Sequence, residues 1–447
     1  MHIASEMTNG EVRLRFSEDR AFALCDGEAI YPSQLFADLV RAEQCFPSTN
    51  GDVLITCKGR YEFSVALLSA WLSGNNVILS PSLHQASLDR IRKIHPIIAE
   101  LGDGFIKAED VSLKSDDRGF FELRFCKMQQ ALTMYTSGSS GKPQPVQKSI
   151  SDIFTEAFAL KEALIWPNMP LIASVPPHHL YGLTFSILLP WVLGIPMVNE
   201  CPLHAEEVVE AINHVNAGIL ITVPIHLRAL LKQEIDCKPL MAISSAGVLD
   251  GDIAMQWQKI FDREIIEIYG SSETGVIAHR QQLNNKSWLA FSEVHIENSK
   301  DGLLQVSSPF INSSEGEVFQ TQDIVTIQGE SQFILHGRAD SIVKIAGKRI
   351  SLLTVEAAIK GCKGVLDVAV MAVPVQGHIR DMAIWAAVAI GEERGVNARS
   401  IRMQLLPLLD GIKIPRRIVM LKQLPREKNG KLRKEQLMSV FQNGVKA

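Results

Sequence analysis

Short apolar runs of strand length alternate with segments of helical periodicity through the first three-quarters of the chain, and this alternation constrains the fold more than any other feature. Val53–Thr56 reads as a strand, Tyr61–Leu72 as a helix and Val77–Leu79 as the next strand. Gly218–Val223, Met241–Ile243 and Ile265–Tyr269 continue the series as buried-strand candidates. Such a sequence predicts an α/β fold, a large multi-layer N-terminal domain whose sheets are covered by helices. After about residue 340 the pattern changes. A helix near Leu353–Lys360, alternating strands at Val365–Val373 and Met382–Ile390, a helix near Ala398–Leu409 and a basic final segment predict a small α+β C-terminal domain. A length of 447 residues agrees with more than one core, and the expected division is 1–337 and 341–447. No internal repeat or low-complexity tract interrupts it.

Composition narrows the class. The chain is 46% hydrophobic and 21% charged, as soluble globular proteins are. Seven cysteines lie scattered from Cys25 to Cys362 with no CxxC pair, which argues for reduced thiols in the cytoplasm and against a disulfide scaffold or zinc site. The first residues lack the regions of a signal peptide, and the apolar run Leu183–Val198 is broken by Pro190, Gly194 and Pro196, so buried core is expected there and no membrane span. From Ser341 onward there are 19 Lys+Arg against 8 Asp+Glu, a net +11, whereas the preceding part carries −15. A basic C-terminal part fits an anionic partner or two solvated surfaces of opposite sign. No basic stripe with interleaved aromatics points to nucleic acid.

The stretch from Tyr135 to Val146 concentrates glycine and hydroxyl residues: Thr136, Ser137, Gly138, Ser139, Ser140 and Gly141, then Lys142. Ala131–Tyr135 can deliver the chain into this loop as a strand. A helix is expected to follow, capped by Ser149 or Ser151, with Ile153, Ala157, Leu160 and Leu164 on its inner face. Glycines let backbone N–H groups turn inward as an anion nest, and the hydroxyls add donors. The Walker A pattern fails: Thr136 stands where its first glycine belongs, and Pro143 follows the lysine.

Tyr135–Pro143 resembles the phosphate-binding signature of the adenylate-forming superfamily, which includes acyl-CoA synthetases, stand-alone adenylation domains and firefly luciferase. Further matches follow in the family's order. Pro176–Gly182 resembles its histidine-bearing motif, and Ser244–Leu249 its Ser-Gly-Gly-Ala-Pro-Leu segment. Tyr269–Thr274 resembles Tyr-Gly-x-Thr-Glu, Thr321–Asp323 matches Thr-Gly-Asp, and Gly337–Asp340 matches Gly-Arg-x-Asp. Leu424-Pro425 with Asn429-Gly430-Lys431 resembles the C-terminal lysine motif, and Asp26–Leu39 the family's opening segment.

The resemblance implies ATP and Mg²⁺ as cofactors and assigns roles to residues. Thr136–Lys142 would hold the β- and γ-phosphates, and Glu273 would bind Mg²⁺, a hard ion suited to carboxylate oxygen. Ser272 keeps a hydroxyl for the α-phosphate beside Gly270 and Ser271. Tyr269 would lie against the adenine, opposite Ala246 and Gly247. Asp323 would bind the ribose hydroxyls and Arg338 the ribose and phosphate side. Lys431 would offset charge on the α-phosphate and the attacking carboxylate. Asp340 resembles the family's hinge, about which the C-terminal domain would rotate to bring Lys344 and Gly347 in as a thiol channel. His179 and Tyr181 would stand near the acyl pocket, with Ile225, Ser245 and Ile277 as further lining.

Two departures stand out. The family's Gly-x-Pro-Lys-Gly is Gly141-Lys142-Pro143-Gln144-Pro145 here, so Lys142 or Lys148 supplies the missing charge or pyrophosphate is held less tightly. Thr-Gly-Asp has become Thr321-Gln322-Asp323. The Gln-Pro variant and the compact N-terminal part resemble small bacterial acyl or aryl ligases that load an acyl carrier protein. The expected activity is therefore ligation of a carboxylic acid, an aromatic acid first and a fatty acid second, to the phosphopantetheine of a carrier protein or CoA. A luciferase-like oxygenase and a non-catalytic acyl or nucleotide sensor are the rival classes.

Overall fold

The computed structural model of the chain describes residues 5–106, 120–136, 144–233, 235–312, 316, 318–339, 342–345, 348–374, 382–391, 395–426, 432 and 434–443. The chain divides into two compact units. One comprises Met1–Glu297, Gln305–Phe319 and Ile327–Ile334; the other comprises Asn298–Leu304, Gln320–Thr326 and Leu335–Ala447.

The first unit is α/β, as the alternation predicts. A five-stranded sheet runs in the order Gln144–Ser149, Gln130–Thr136, Asn76–Leu79, Asp52–Ile55, Ile97–Leu101. The last four strands are parallel, and Gln144–Ser149 returns antiparallel along the edge. Consecutive residues Val53, Leu54 and Ile55, and Val77, Ile78 and Leu79, are all buried, so both faces of the sheet are covered. Helix Arg60–Leu72 is buried from Arg60 to Trp71 except at Glu62, which fits its lack of a polar face.

A second sheet carries the parallel strands Leu171–Ala173, Ile219–Thr222, Met241–Ser244 and Ile265–Ser271, followed by antiparallel Gly275–Arg280 and Trp288–Ala290. Helices Ala205–Val215 and Gly251–Phe261 pack Val208, Ile212, Ile253 and Trp257 against Leu220 and Ala242 of this sheet. A third, antiparallel sheet joins Glu6–Met7, Glu11–Ser17 and Phe120–Cys126.

The second unit contains an antiparallel pair, Val365–Pro374 and Met382–Ile390, extended by parallel strand Arg417–Leu421. Alternation decides its packing. Val368, Val370, Ala386 and Val388 face helices Leu352–Lys360 and Ala398–Leu405, while Ala369, Met371, Ala387 and Ala389 face Leu424, Leu437 and Phe441.

Two local expectations change. A strand, Gln144–Ser149, separates the phosphate loop from its helix. It lies at the sheet edge, where a proline such as Pro145 is tolerated. The helix starting at Ala398 ends at Leu405 and does not reach Leu409, because Pro407 has no N–H to continue it. Ser149 is the cap of helix Ile150–Ala163, in a capping box with Asp152. The apolar run Leu183–Val198 is buried core as expected. It contains a π-helical turn, Thr184–Leu188, and a short helix, Leu189–Leu193, stopped by Gly194 at φ 68°. Among the described residues no helix is long and apolar enough to cross a membrane, and all seven cysteines are free.

Candidate active site

The parallel strands share one direction, so their carboxyl ends gather on a single edge, where open α/β sheets bind ligands. Ile225 stands just past Thr222 in helix Pro224–Leu230. Ser245, Ala246 and Gly247 follow Ser244, and Tyr269, Gly270 and Ser271 close Ile265–Ser271. The sheet therefore brings these predicted residues to one edge. Ser245 Oγ donates to Ile268 O at 2.8 Å and fastens its turn to the neighbouring strand. Ala246 adopts φ 64°, a left-handed conformation uncommon for a residue with a Cβ. Tyr269 is half-buried, its ring 5.5 Å from Trp288 and 5.7 Å from Phe333. Ile277 is buried in the returning strand Gly275–Arg280.

The hairpin tip between these strands presents Ser272 and Glu273. Gly270 makes the reversal possible, since a Cβ there would lie 2.3 Å from Gly275 O. Ser271 and Thr274 lock the turn. Their hydroxyls are 3.0 Å apart, and each accepts the other's backbone N–H at 3.2 Å. Among the described residues no three His, Cys, Asp or Glu side chains cluster as a metal cage. A single half-buried carboxylate such as Glu273 is what suits Mg²⁺ when substrate phosphates and water complete its shell, so this residue fits the ion the resemblance implies.

Directly beneath the tip lie two charged residues that sequence reasoning missed as a pair. Lys148 is 1% exposed; its ammonium donates to Glu273 O at 2.8 Å and Phe310 O at 2.6 Å. Glu156 is 2% exposed and accepts the Val276 N–H at 2.9 Å and the Thr184 hydroxyl at 3.4 Å. Burial pushes the Glu156 carboxyl up to about 7, against the pull of Lys148. A signal for both was present. Lys148 falls in phase with buried Val146 on an alternating strand, and Glu156 lies among Ile153, Ala157 and Leu160 on the helix's inner face. Lys148, one of two candidates to replace the family lysine, thus directs its ammonium to main-chain carbonyls.

The histidine motif folds back on itself after Ala173. Gly182 permits this, because a Cβ would meet Pro176 O at 2.0 Å. His178 is buried edge-on to Phe63, its Nε2 without a partner among the described residues, and burial lowers its pKa to about 4. His179 is half-buried at the start of helix Leu180–Leu183. The Tyr181 hydroxyl lies 2.9 Å from Thr222 O and 3.0 Å from Ile243 O, so it ties two strand ends, leaving its ring for the edge. Arg60, also missed, is fully buried. It donates to Ser186 Oγ and to the carbonyls of Ala173, Val175, Val198 and Glu200.

The phosphate loop is framed by paired strands: Thr136 sits opposite Gln144. Ser137, Gly138, Ser139, Ser140, Gly141 and Lys142 lie outside the described residues, as do Asp340, Gly347 and Lys431. The same holds for the side chains of Thr136 and Lys344, whose backbones belong to strands. In the second unit Asp323 and Arg338 are 3.9 Å apart. The Thr321 hydroxyl accepts the Asp323 N–H and donates to Leu304 O.

Residues 122–294 match the family model described as AMP-binding enzyme. The mitochondrial malonate–CoA ligase ACSF3 of Bos taurus is 20% identical over 479 residues, spanning 86% of this chain and 80% of that protein. A 4-coumarate–CoA ligase of Rhodobacter capsulatus is 26% identical over 324 residues, 70% of this chain and 78% of that protein. Among solved structures, the O-succinylbenzoate coenzyme A synthetase MenE of Bacillus subtilis, in complex with ATP and magnesium ion, superposes with a TM-score of 0.75 at 18% identity. It covers 94% of this chain and 97% of that one. At such identity the likeness shows a shared fold.

Proposed function

We propose that the chain is a member of the adenylate-forming superfamily and an AMP-forming acid–thiol ligase that uses ATP and Mg²⁺, a reading supported by the AMP-binding match and the acid–CoA ligase relatives. The observation that carries this reading is the gathering of Ser245–Gly247, Tyr269 and the Ser272–Glu273 tip on the carboxyl edge of one parallel sheet. A carboxylate oxygen of the acid attacks the α-phosphorus of ATP and the bond to pyrophosphate breaks, leaving an acyl-AMP. A thiolate then attacks the acyl carbon and AMP departs.

In this reading Tyr269 offers its ring to the adenine, and the Ser272 hydroxyl donates to the α-phosphate. Mg²⁺ bound at Glu273 would neutralise phosphate charge. By resemblance, Asp323 accepts the ribose hydroxyl protons, Arg338 assists beside it, and Lys431 offsets charge developing on the α-phosphate. Asp340 as hinge, and Lys344 with Gly347 as thiol channel, belong to the same proposal, as does the boundary at about 338–340.

Two finer points rest on separate support. An aromatic acid is favoured by the likeness to a 4-coumarate–CoA ligase and by the apolar Ile225, Ile277 and Tyr181 ring near the edge. Carrier-protein phosphopantetheine, with CoA as the alternative, is proposed from the resemblance to compact carrier-loading ligases; the net +11 from Ser341 onward suits an acidic carrier and the polyphosphate of CoA alike. Cytoplasmic residence fits seven free thiols.

The test is acid-dependent pyrophosphate release with ATP and Mg²⁺ over benzoates, cinnamates, malonate and fatty acids, using hydroxylamine to capture the acyl-AMP. Release confined to one acid class, and lost in Lys431→Ala, supports the proposal and names the class. Bound ATP with no release for any acid favours the sensor. Oxygen consumption or light favours the oxygenase.

A further inference from the structure

The two buried charges beneath the hairpin tip hold the main chain on both sides of Glu273. Lys148 takes the carbonyl of Glu273 itself, together with that of Phe310. Glu156 takes the amide of Val276 and the hydroxyl of Thr184. Between them Gly275 turns at φ 71°, so close that a Cβ would sit 3.0 Å from Phe310 Cβ and 3.2 Å from the Glu156 carboxyl. The tip therefore has little room to shift, and its two anchors are charged groups whose desolvation is costly unless their bonds are kept.

Those anchors come from the segment leaving the phosphate loop. Lys148 lies on strand Gln144–Ser149, whose first residue pairs with Thr136 on the loop's other side. Glu156 lies on the helix that follows, and Thr184 on the π-helical turn after the histidine motif. An edge strand, the helix after it and a π-helical turn thus meet at one buried pair.

We propose that Lys148 and Glu156 are positioning residues that fix the Glu273 carboxylate relative to the strands framing the phosphate loop, so that metal and phosphates are met together. This rests on the adenylating reading above.

The experiment measures Mg²⁺-dependent ATP binding by calorimetry, without acid, alongside acyl-AMP formation. Variants are Lys148→Met, Glu273→Gln, the double variant, and Glu156→Gln beside Glu156→Leu. Removing a group that orients a metal ligand commonly weakens metal affinity about tenfold or more, and that rise in half-saturating Mg²⁺ is expected for Lys148→Met and for Glu273→Gln. In the double variant Lys148→Met should add less than about twofold, because it acts through Glu273. Glu156→Gln keeps an acceptor for Val276 and should stay within about threefold of the wild type, while Glu156→Leu should approach Lys148→Met.

Unchanged Mg²⁺ dependence in Lys148→Met, or effects that multiply in the double variant, would overturn the proposal. Should Lys148→Met not fold, the Gln and Leu variants at position 156 decide the matter, and equal behaviour of the two would also overturn it. A wild type that binds ATP with Mg²⁺ yet forms no acyl-AMP would refute the ligase reading, while the binding series still judged the two residues.

Discussion

Nε2 of His95 lies 2.5 Å from the hydroxyl of Tyr135, and its Nδ1 lies 2.7 Å from Asp52 Oδ2. Asn76 continues the chain, donating from Nδ2 to Asp52 Oδ1 at 2.7 Å. Polar contacts thus tie Tyr135, at the root of the phosphate loop because Thr136 follows it directly, to the amino ends of the two neighbouring parallel strands. Tyr135→Phe removes one half-buried hydrogen bond, at a cost of about 1 kcal/mol in urea unfolding. Loosening at that root should raise KM for ATP by more than KM for the acid. Equal changes in both would separate the contact from the loop.

Glycines at two reversals fix main chain against main chain. Gly270→Ala would place a Cβ 2.3 Å from Gly275 O, and Gly182→Ala one 2.0 Å from Pro176 O. Neither obstacle is a side chain that can rotate away. Both variants should lose more than about 2 kcal/mol by chemical denaturation, and Gly270→Ala should also lose Mg²⁺-dependent ATP binding. Retention of wild-type stability in either would mean that the hairpin or the motif adopts another path.

Two buried groups give opposite pH dependences. Glu156, raised by burial from 4.5 to about 7, binds a proton more readily folded than unfolded, so its contribution is present at low pH and is lost as pH rises through 7. His178, lowered by burial from 6.5 to about 4, binds its proton more readily unfolded, so stability falls as pH drops through that window. Across pH 4.5–6.5 the slopes oppose each other. Glu156→Gln should expose stability rising with pH and His178→Phe stability falling with pH, each by at most about 1.4 kcal/mol per pH unit. Urea midpoints through this range provide the check, and parallel curves for all three proteins would refute both shifts.

Arg60 donates to four main-chain carbonyls and one hydroxyl, and among the described residues no carboxylate pairs with it. Arg60→Met would leave those acceptors without a donor in a dry interior. A loss of more than about 3 kcal/mol is expected in chemical unfolding. Arg60→Lys should fall between, because an ammonium has three donors for five acceptors.

Much of the fold was legible because burial and period agree. Ile219–Thr222 and Met241–Ser244 are apolar on both faces, and each appears as a parallel strand near its predicted place. The edge residues Ser245, Tyr269 and Glu273 were legible through motif order. The buried roles of Lys148, Glu156 and Arg60 were overlooked, because a charged residue in a sequence reads as solvated until its partners are known. Only the phase of Lys148 with Val146 and of Glu156 with Ile153 and Leu160 pointed to burial. The nearest backbone partners in sequence of Lys148, Glu156 and Arg60 are 125, 120 and 113 residues away, and backbone groups leave no mark in the sequence. The early end of the helix from Ala398 was legible in Pro407, whose missing N–H should have outweighed the apolar Leu408 and Leu409.

Arg60 also has a bearing on how this chain can diverge. Four of its five acceptors are carbonyl oxygens, which every amino acid supplies alike. Positions 173, 175, 198 and 200 can therefore exchange side chains of fitting size without releasing the guanidinium. In a saturation library the mutational load should concentrate at residue 60, with its four main-chain partners drifting more freely. Lineages could then alter the surroundings of the histidine motif while keeping the anchor that holds it.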